Sequence, residues 1–386
     1  MKPVESPSLP PPLPVEEKFA RKGAFAVIGQ FFDYVFGLLV ILTSLAVISA
    51  IPVIHLLSLG YLLEASARVA KSGRIRDGVI GLEPAARIGK IVVAAWLIFL
   101  PVRVLHGYWL DANIIDQGTN EAKSLGVVLL LISCVSLFCI GWAIARGGKF
   151  RHFLWLAPVR FLRRMGQPWN WKGALQGITD LRKGLRLLDF FQLGFFGFLG
   201  GALWLAIPVL ILFSAPFVPS QPGSLLISMI GAGMLGIVIL YLPFIQTRYA
   251  VERKFVVFGQ WKTIREQFRK APLALWTALF VTLLFAMPLY LLKIELAPQE
   301  VAWIPNLVFV VFMFPARLVL GWAASRSAKR ETYRHWFFRW TARLGMIPPV
   351  LVYVFVVWLT QYLSWHGSYS LLEQHAFLLP APMLGL

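Results

Sequence analysis

The chain has 386 residues, 58% of them hydrophobic and 14% charged, with 37 Lys and Arg against 18 Asp and Glu. A soluble chain of this length carries nearly twice that charge, so a water-soluble globular class is excluded. The formal net charge of +19 would suit nucleic acid, but its distribution along the chain points to membrane topology instead.

Residues 1–23 form a Pro-rich tail that includes Pro10, Pro11, Pro12 and Pro14. This composition reads as a solvated, polyproline-like segment. No short apolar stretch leads to a small-residue cleavage site, so the first apolar block is expected to be an uncleaved anchor. Five segments, 34–63, 124–145, 190–214, 224–247 and 271–292, contain no Asp, Glu, Lys or Arg. Each exceeds the roughly 20 residues that a helix needs to cross a bilayer core. Backbone groups in lipid must be paired internally, which makes these segments helical. Their apolar residues are continuous rather than alternating, against an outer-membrane barrel.

The segment 24–63 is long for one span and tight for two. A hairpin over about 24–47 and 50–70 keeps both flanking basic segments on one side, with Ser49 capping the second helix and Pro52 in its first turn. The alternative is one long helix kinked at Pro52. Further spans are expected near 89–110, 124–146, 190–214, 224–247, 271–293, 303–324 and 345–365. The predicted fold class is therefore an all-α polytopic membrane protein of eight or nine transmembrane helices. A non-cytoplasmic tail, 366–386, follows the last span.

Of the 37 basic residues, 29 fall in four segments: 65–90, 146–189, 248–270 and 325–343. The connections between them are poor in positive charge. Residues 111–123 hold one Lys against Asp111, Asp116 and Glu121, and 215–223 hold no charge. That alternation is the positive-inside rule and places the basic loops in the cytoplasm of an inner-membrane protein. Such loops also attract anionic inner-leaflet lipids. The expected partners are thus the bilayer and those lipids, with no nucleic acid. A protein partner docked on the basic loops, or a homo-oligomer, is the further option. Within the loops, 173–188 and 255–268 repeat apolar residues at helical spacing and read as helices lying on the inner leaflet.

An internal repeat is the most informative pattern. Gly141-Trp142-Ala143 is followed by Arg146 and Lys149, and Gly321-Trp322-Ala323 by Arg326 and Lys329 at the same spacings. Upstream, Tyr61 and Glu64 match Tyr249 and Glu252, and the late-span prolines Pro101 and Pro288 also correspond. The expected organisation is two parallel four-helix repeats, 24–165 and 190–344. An amphipathic linker, 166–189, joins them, and a final helix follows at 345–365.

Candidate ligand-binding residues are the ionisable groups at membrane depth, which are costly to place there. These are Glu64, Glu252, Arg103, Arg317 and Asp33. Glu64 has an ordinary helix-pair partner in Arg68. Arg317 can snorkel inward and Arg103 outward, whereas Asp33 has no evident partner. Arg146, Lys149, Arg326 and Lys329 are candidates for lipid headgroups, the bland reading being positive-inside anchoring. Gly194, Gly197 and Gly201 allow close helix approach. Cys134 and Cys139 read as small packing residues. No phosphate-binding loop, zinc-protease helix or nucleophile elbow is present, and no metal or cofactor is expected. Two functions fit: a transporter or lipid-handling permease, and a non-transporting scaffold. A lipid-modifying enzyme trails both.

Overall fold

A computed structural model describes residues 24–115, 119–145, 152–153, 186–291, 303–364 and 367–372. The Pro-rich tail, most of the 166–189 linker, and Arg146 and Lys149 lie outside the described residues. Ten α-helices and no strand occur among the described residues. They are α1 (Ala24–Ser49), α2 (His55–Ser72), α3 (Leu82–Ile115), α4 (Asn120–Ala145) and α5 (Leu187–Ser214), then α6 (Gln221–Glu252), α7 (Trp261–Lys270), α8 (Pro272–Leu291), α9 (Trp303–Ala328) and α10 (Trp336–Leu363). Eight of them, all but α2 and α7, are long and apolar enough to cross a membrane. The protein is an all-α, multi-pass membrane protein.

The segment 24–63 does divide into two helices, but the break differs from the sequence expectation. α1 runs through Ser49, and the cap of α2 is Ile54, which offers no side-chain hydrogen bond. Pro52 sits in the connection itself. It disfavours helix at the residue before it and cannot donate to a helical ladder. Val53 takes a positive φ of 68° there, and the Ile54 amide donates to the Pro52 carbonyl at 2.8 Å. Ser58 Oγ then ties α2 back to the Leu45 carbonyl of α1 at 2.8 Å.

α2 is the helix around which the bundle closes. It packs against α5, α9, α6 and α1, and most of its residues from Leu56 to Val69 are buried. Helices in lipid gain little from hydrophobic burial against one another, so close backbone approach supplies the contact. Glycines provide it here. A methyl group on Gly60 would collide with the Phe190 carbonyl of α5, and one on Gly194 with the Leu56 carbonyl of α2. Gly321 of α9 crosses α2 in the same way, at the Ser66 carbonyl. Gly197 seats Leu63. The small-residue face of α5 therefore serves α2, while Gly231 of α6 receives Leu212 on another face of α5.

By contrast, α3 and α4 form an outlying hairpin that reaches the bundle through α1. Most of their large apolar side chains are exposed, as expected of surfaces facing lipid. Pro101 lies inside α3 without breaking it. The second hairpin behaves differently. Ala271 leaves helical geometry at φ −135° and ψ 60°, and Pro272 opens α8. Proline is tolerated at a first helical position and unfavourable for helix in its predecessor. The amphipathic stretch 255–268 is correspondingly a 3-10 turn (Phe255–Gly259) followed by α7. Its apolar side lies partly on protein rather than on the leaflet. Phe258 fills the space over Gly200 and packs on Tyr249 with ring centroids 5.1 Å apart. Trp204 Nε1 donates to the Phe258 carbonyl at 3.0 Å.

The glycine crossings make a direct prediction. Gly60→Ala and Gly194→Ala each overpack a helix contact and should cost about 1–3 kcal/mol, read as a lower melting temperature in mild detergent. Gly141→Ala serves as the control, because no described atom lies within 4 Å of a methyl group there. It should melt as the parent does.

Candidate anion-binding site at the basic end of the bundle

The C-terminal ends of α2, α6 and α9 meet the N-terminal ends of α5, α8 and α10 at one end of the bundle. Two charge clusters are built there. The first centres on Glu64, whose side chain is 12% exposed. It accepts from Arg68 Nε at 3.2 Å, one turn along α2, and from Arg253 Nη2 at the end of α6. Arg186, just before α5, approaches to 4.0 Å and also holds Asp189 at 2.8 Å. Arg253 and Arg186 both have positive φ, 57° and 45°. A side chain in that left-handed region costs about 1 kcal/mol or more. Both strained residues aim at one carboxylate, so one buried negative charge offsets the strain and clamps three helices.

The second cluster is a cavity of about 310 Å³ lined by Arg326, Arg330 and Arg334, with Trp322, Phe338 and the start of α8. Aromatic faces and backbone oxygens hold the arginines in place. Arg326 lies 5.3 Å from the centre of the Trp322 ring and Arg334 5.7 Å from that of Phe338. Arg330 Nη1 donates to the Lys270 carbonyl at 3.4 Å, and the Arg334 amide to the Arg269 carbonyl at 3.1 Å. His335 caps α10 by accepting from the Phe337 amide at 3.3 Å, which fixes where the loop turns. No acidic residue lines the cavity, and Glu331 is exposed. The first turn of α8 adds the positive end of a helix dipole. Thr277 at the wall donates to the Leu273 carbonyl at 2.9 Å. The lining has no carboxylate, imidazole or thiol, so the arrangement is suited to holding an anion rather than moving a proton.

The other predicted residues fall elsewhere. Lys329 leaves the cavity and lies over Gly73, the left-handed residue that ends α2, where a cation complements the helix terminus. Glu252 pairs with Arg248 at 2.5 Å on the same helix. Asp33 does have a partner, Lys90 of α3 at 2.6 Å, and is exposed. Arg103 lies on the exposed face of α3. Arg317 does not snorkel. It is 1% exposed in the bundle interior, donating to Gln246 Oε1 at 2.9 Å, while Gln246 Nε2 donates to the Gly197 carbonyl at 3.3 Å. α9, α6 and α5 are joined by that chain. Among the described residues no group of three or more His, Cys, Asp or Glu could hold a metal ion.

No family model, no curated protein and no solved structure matches this chain. The site is therefore read from its own geometry. Sequence reasoning reached Arg326 through its motif but missed Arg330, Arg334, Arg253 and Arg186. The signal for Arg334 was the mixture of aromatics and Arg in 333–343. Nothing in the sequence marks Arg253 or Arg186 as left-handed.

The two glutamate candidates separate cleanly by environment. Glu64→Ala leaves three guanidinium groups without their shared acceptor and should cost about 2 kcal/mol, since charged hydrogen bonds are worth about 1.5–3 each and the arginines are partly solvated. Glu252→Ala removes one pair within a single helix and should cost no more than about 0.5 kcal/mol. Melting temperatures of the two variants, compared at low and high salt, check the contrast.

Proposed function

We propose that the protein is a lipid-handling membrane protein that takes a phosphate-bearing, anionic headgroup into the cavity of Arg326, Arg330 and Arg334. The observation that carries this reading is three arginines, preplaced by ring stacking and backbone contacts, around a cavity without acidic lining. Arginine forks match phosphate geometry. Asp33, Arg103 and Arg317 line neither this cavity nor the apolar one described below. That favours a lipid-holding role over a route for a solute through the bundle. On the positive-inside argument this end faces the cytoplasm of an inner membrane.

A shared backbone pattern supports one register for the proposed internal repeat. α2 ends in left-handed Gly73, extended Arg74 and a 3-10 turn at Ile75–Gly78, and α6 ends in left-handed Arg253, extended Lys254 and a 3-10 turn at Phe255–Gly259. The interval from Gly73 to Arg253 equals that from Gly141 to Gly321. In this register Tyr61 corresponds to Tyr241, not Tyr249, and Glu64 to Phe244, not Glu252. Tyr61 exchanges hydrogen bonds with the Ile80 backbone, and Tyr241 packs edge-on to Trp261 at 6.4 Å, each just beyond its 3-10 turn.

A second reading rests on exposed aromatics. Tyr333, Trp336, Phe337 and Trp340 are exposed beside Arg334 and Arg343, and such a surface suits a scaffold that docks a protein.

The test is binding of glycerol phosphate, as a soluble headgroup probe, to the purified full-length protein. Arg330→Gln should weaken it by about tenfold or more, from the worth of one charge-assisted hydrogen bond. The triple variant Arg326→Gln, Arg330→Gln, Arg334→Gln should abolish glycerol phosphate binding. Unchanged affinity in the triple variant contradicts the assignment. A soluble protein that co-purifies, and is lost on Trp336→Ala, favours the scaffold.

A further inference from the structure

A second cavity, of about 340 Å³, opens on the side of the bundle between α6, α7, α8 and α10. Its floor is buried and apolar: Phe244, Ile264, Leu275, Met346 and Val350. Ile347 and Leu351 form an exposed apolar edge. Two charges stand at its rim, Arg265 of α7 and Arg343 of α10, both exposed, and no acidic residue lines it. Each guanidinium rests on an indole, Arg265 at 5.0 Å from Trp261 and Arg343 at 5.7 Å from Trp340. Tyr241 braces Trp261 edge-on in turn. These cations are held above the groove before any ligand arrives.

We propose that this groove seats one anionic phospholipid, its phosphate between Arg265 and Arg343 and one acyl chain along Phe244, Ile347, Val350 and Leu351. The shape and the charge fit that occupant. From Arg343 to Leu351 the α10 wall runs about 12 Å at 1.5 Å per residue, so the chain descends from the charged rim into hydrocarbon depth. A soluble anion would find two arginines but gain nothing from the apolar floor. A zwitterionic lipid would bring its own cation to two arginines with no carboxylate nearby. The site is independent of the headgroup cavity. That cavity has three arginines and no comparable apolar wall, whereas this one has the wall.

Native mass spectrometry of the full-length protein in detergent, with added dioleoyl phosphatidylglycerol or dioleoyl phosphatidylcholine, tests it. The parent should retain one phosphatidylglycerol about tenfold more tightly than phosphatidylcholine, a 1.4 kcal/mol preference. Arg265→Gln with Arg343→Gln should erase the preference. Both arginines are exposed, so that variant keeps the fold. Val350→Trp should expel the lipid by filling the chain path while leaving both arginines. Equal retention of the two lipids, or a preference that survives Arg265→Gln with Arg343→Gln, overturns the proposal. So does a preference lost only in the Arg326, Arg330, Arg334 triple variant, which would assign the lipid to the headgroup cavity. Loss of glycerol phosphate binding alone, in the triple variant alone, leaves this groove standing.

Discussion

The structure depends on how closely α2 can approach its neighbours. Helices surrounded by lipid have no water to escape when they meet, so contact must come from shape. Gly60 and Gly194 bring the backbones of α2 and α5 together, and Gly321 does the same for α9. These crossings let a helix of 18 residues carrying Glu64, Arg68 and Lys71 serve as the centre of a membrane bundle. Its polar end emerges where the other basic ends converge, and protein rather than lipid covers the rest.

That placement determines the chemistry at the end of the bundle. Glu64 can gather Arg68, Arg186 and Arg253 because α5 and α6 terminate beside α2. The same convergence leaves Arg326, Arg330 and Arg334 without an acidic neighbour in their cavity. One cluster is a clamp organised around a carboxylate and the other an open anion seat, although both draw on the same excess of positive charge. The difference lies in one carboxylate. Deeper in the bundle, Arg317 donates to Gln246 rather than lining either cavity, consistent with a structural polar link.

Much of the fold was legible from the sequence. Long apolar segments, five of them without any Asp, Glu, Lys or Arg, located all eight spans, because hydrocarbon tolerates few alternatives to an apolar helix. The glycines of α5 were legible as packing residues, but their partner was not. Spacing reveals a face and not what it meets. The end of the second helix of the 24–63 segment was placed to within a few residues, while its start was not. Pro52 broke the chain more sharply than a first-turn proline would. Among site residues, Arg326 followed from its motif. Asp33 with Lys90, and Glu64 with Arg186 and Arg253, join residues far apart in the chain, which helical spacing cannot see. The left-handed conformation of Arg253 has no local sequence signal, since glycine is the usual occupant and Gly73 fills that place at the end of α2.

The central claim is that α2 is enclosed by the bundle despite its charges. Amide hydrogen exchange of the full-length protein in a lipid nanodisc measures this directly. Enclosure predicts that amides from Leu59 to Val69 exchange as slowly as those in the middle of α6 and α9. If α2 instead lay on the membrane surface as an amphipathic helix, those amides would exchange as fast as the surface helix α7, and the account of the bundle would be wrong.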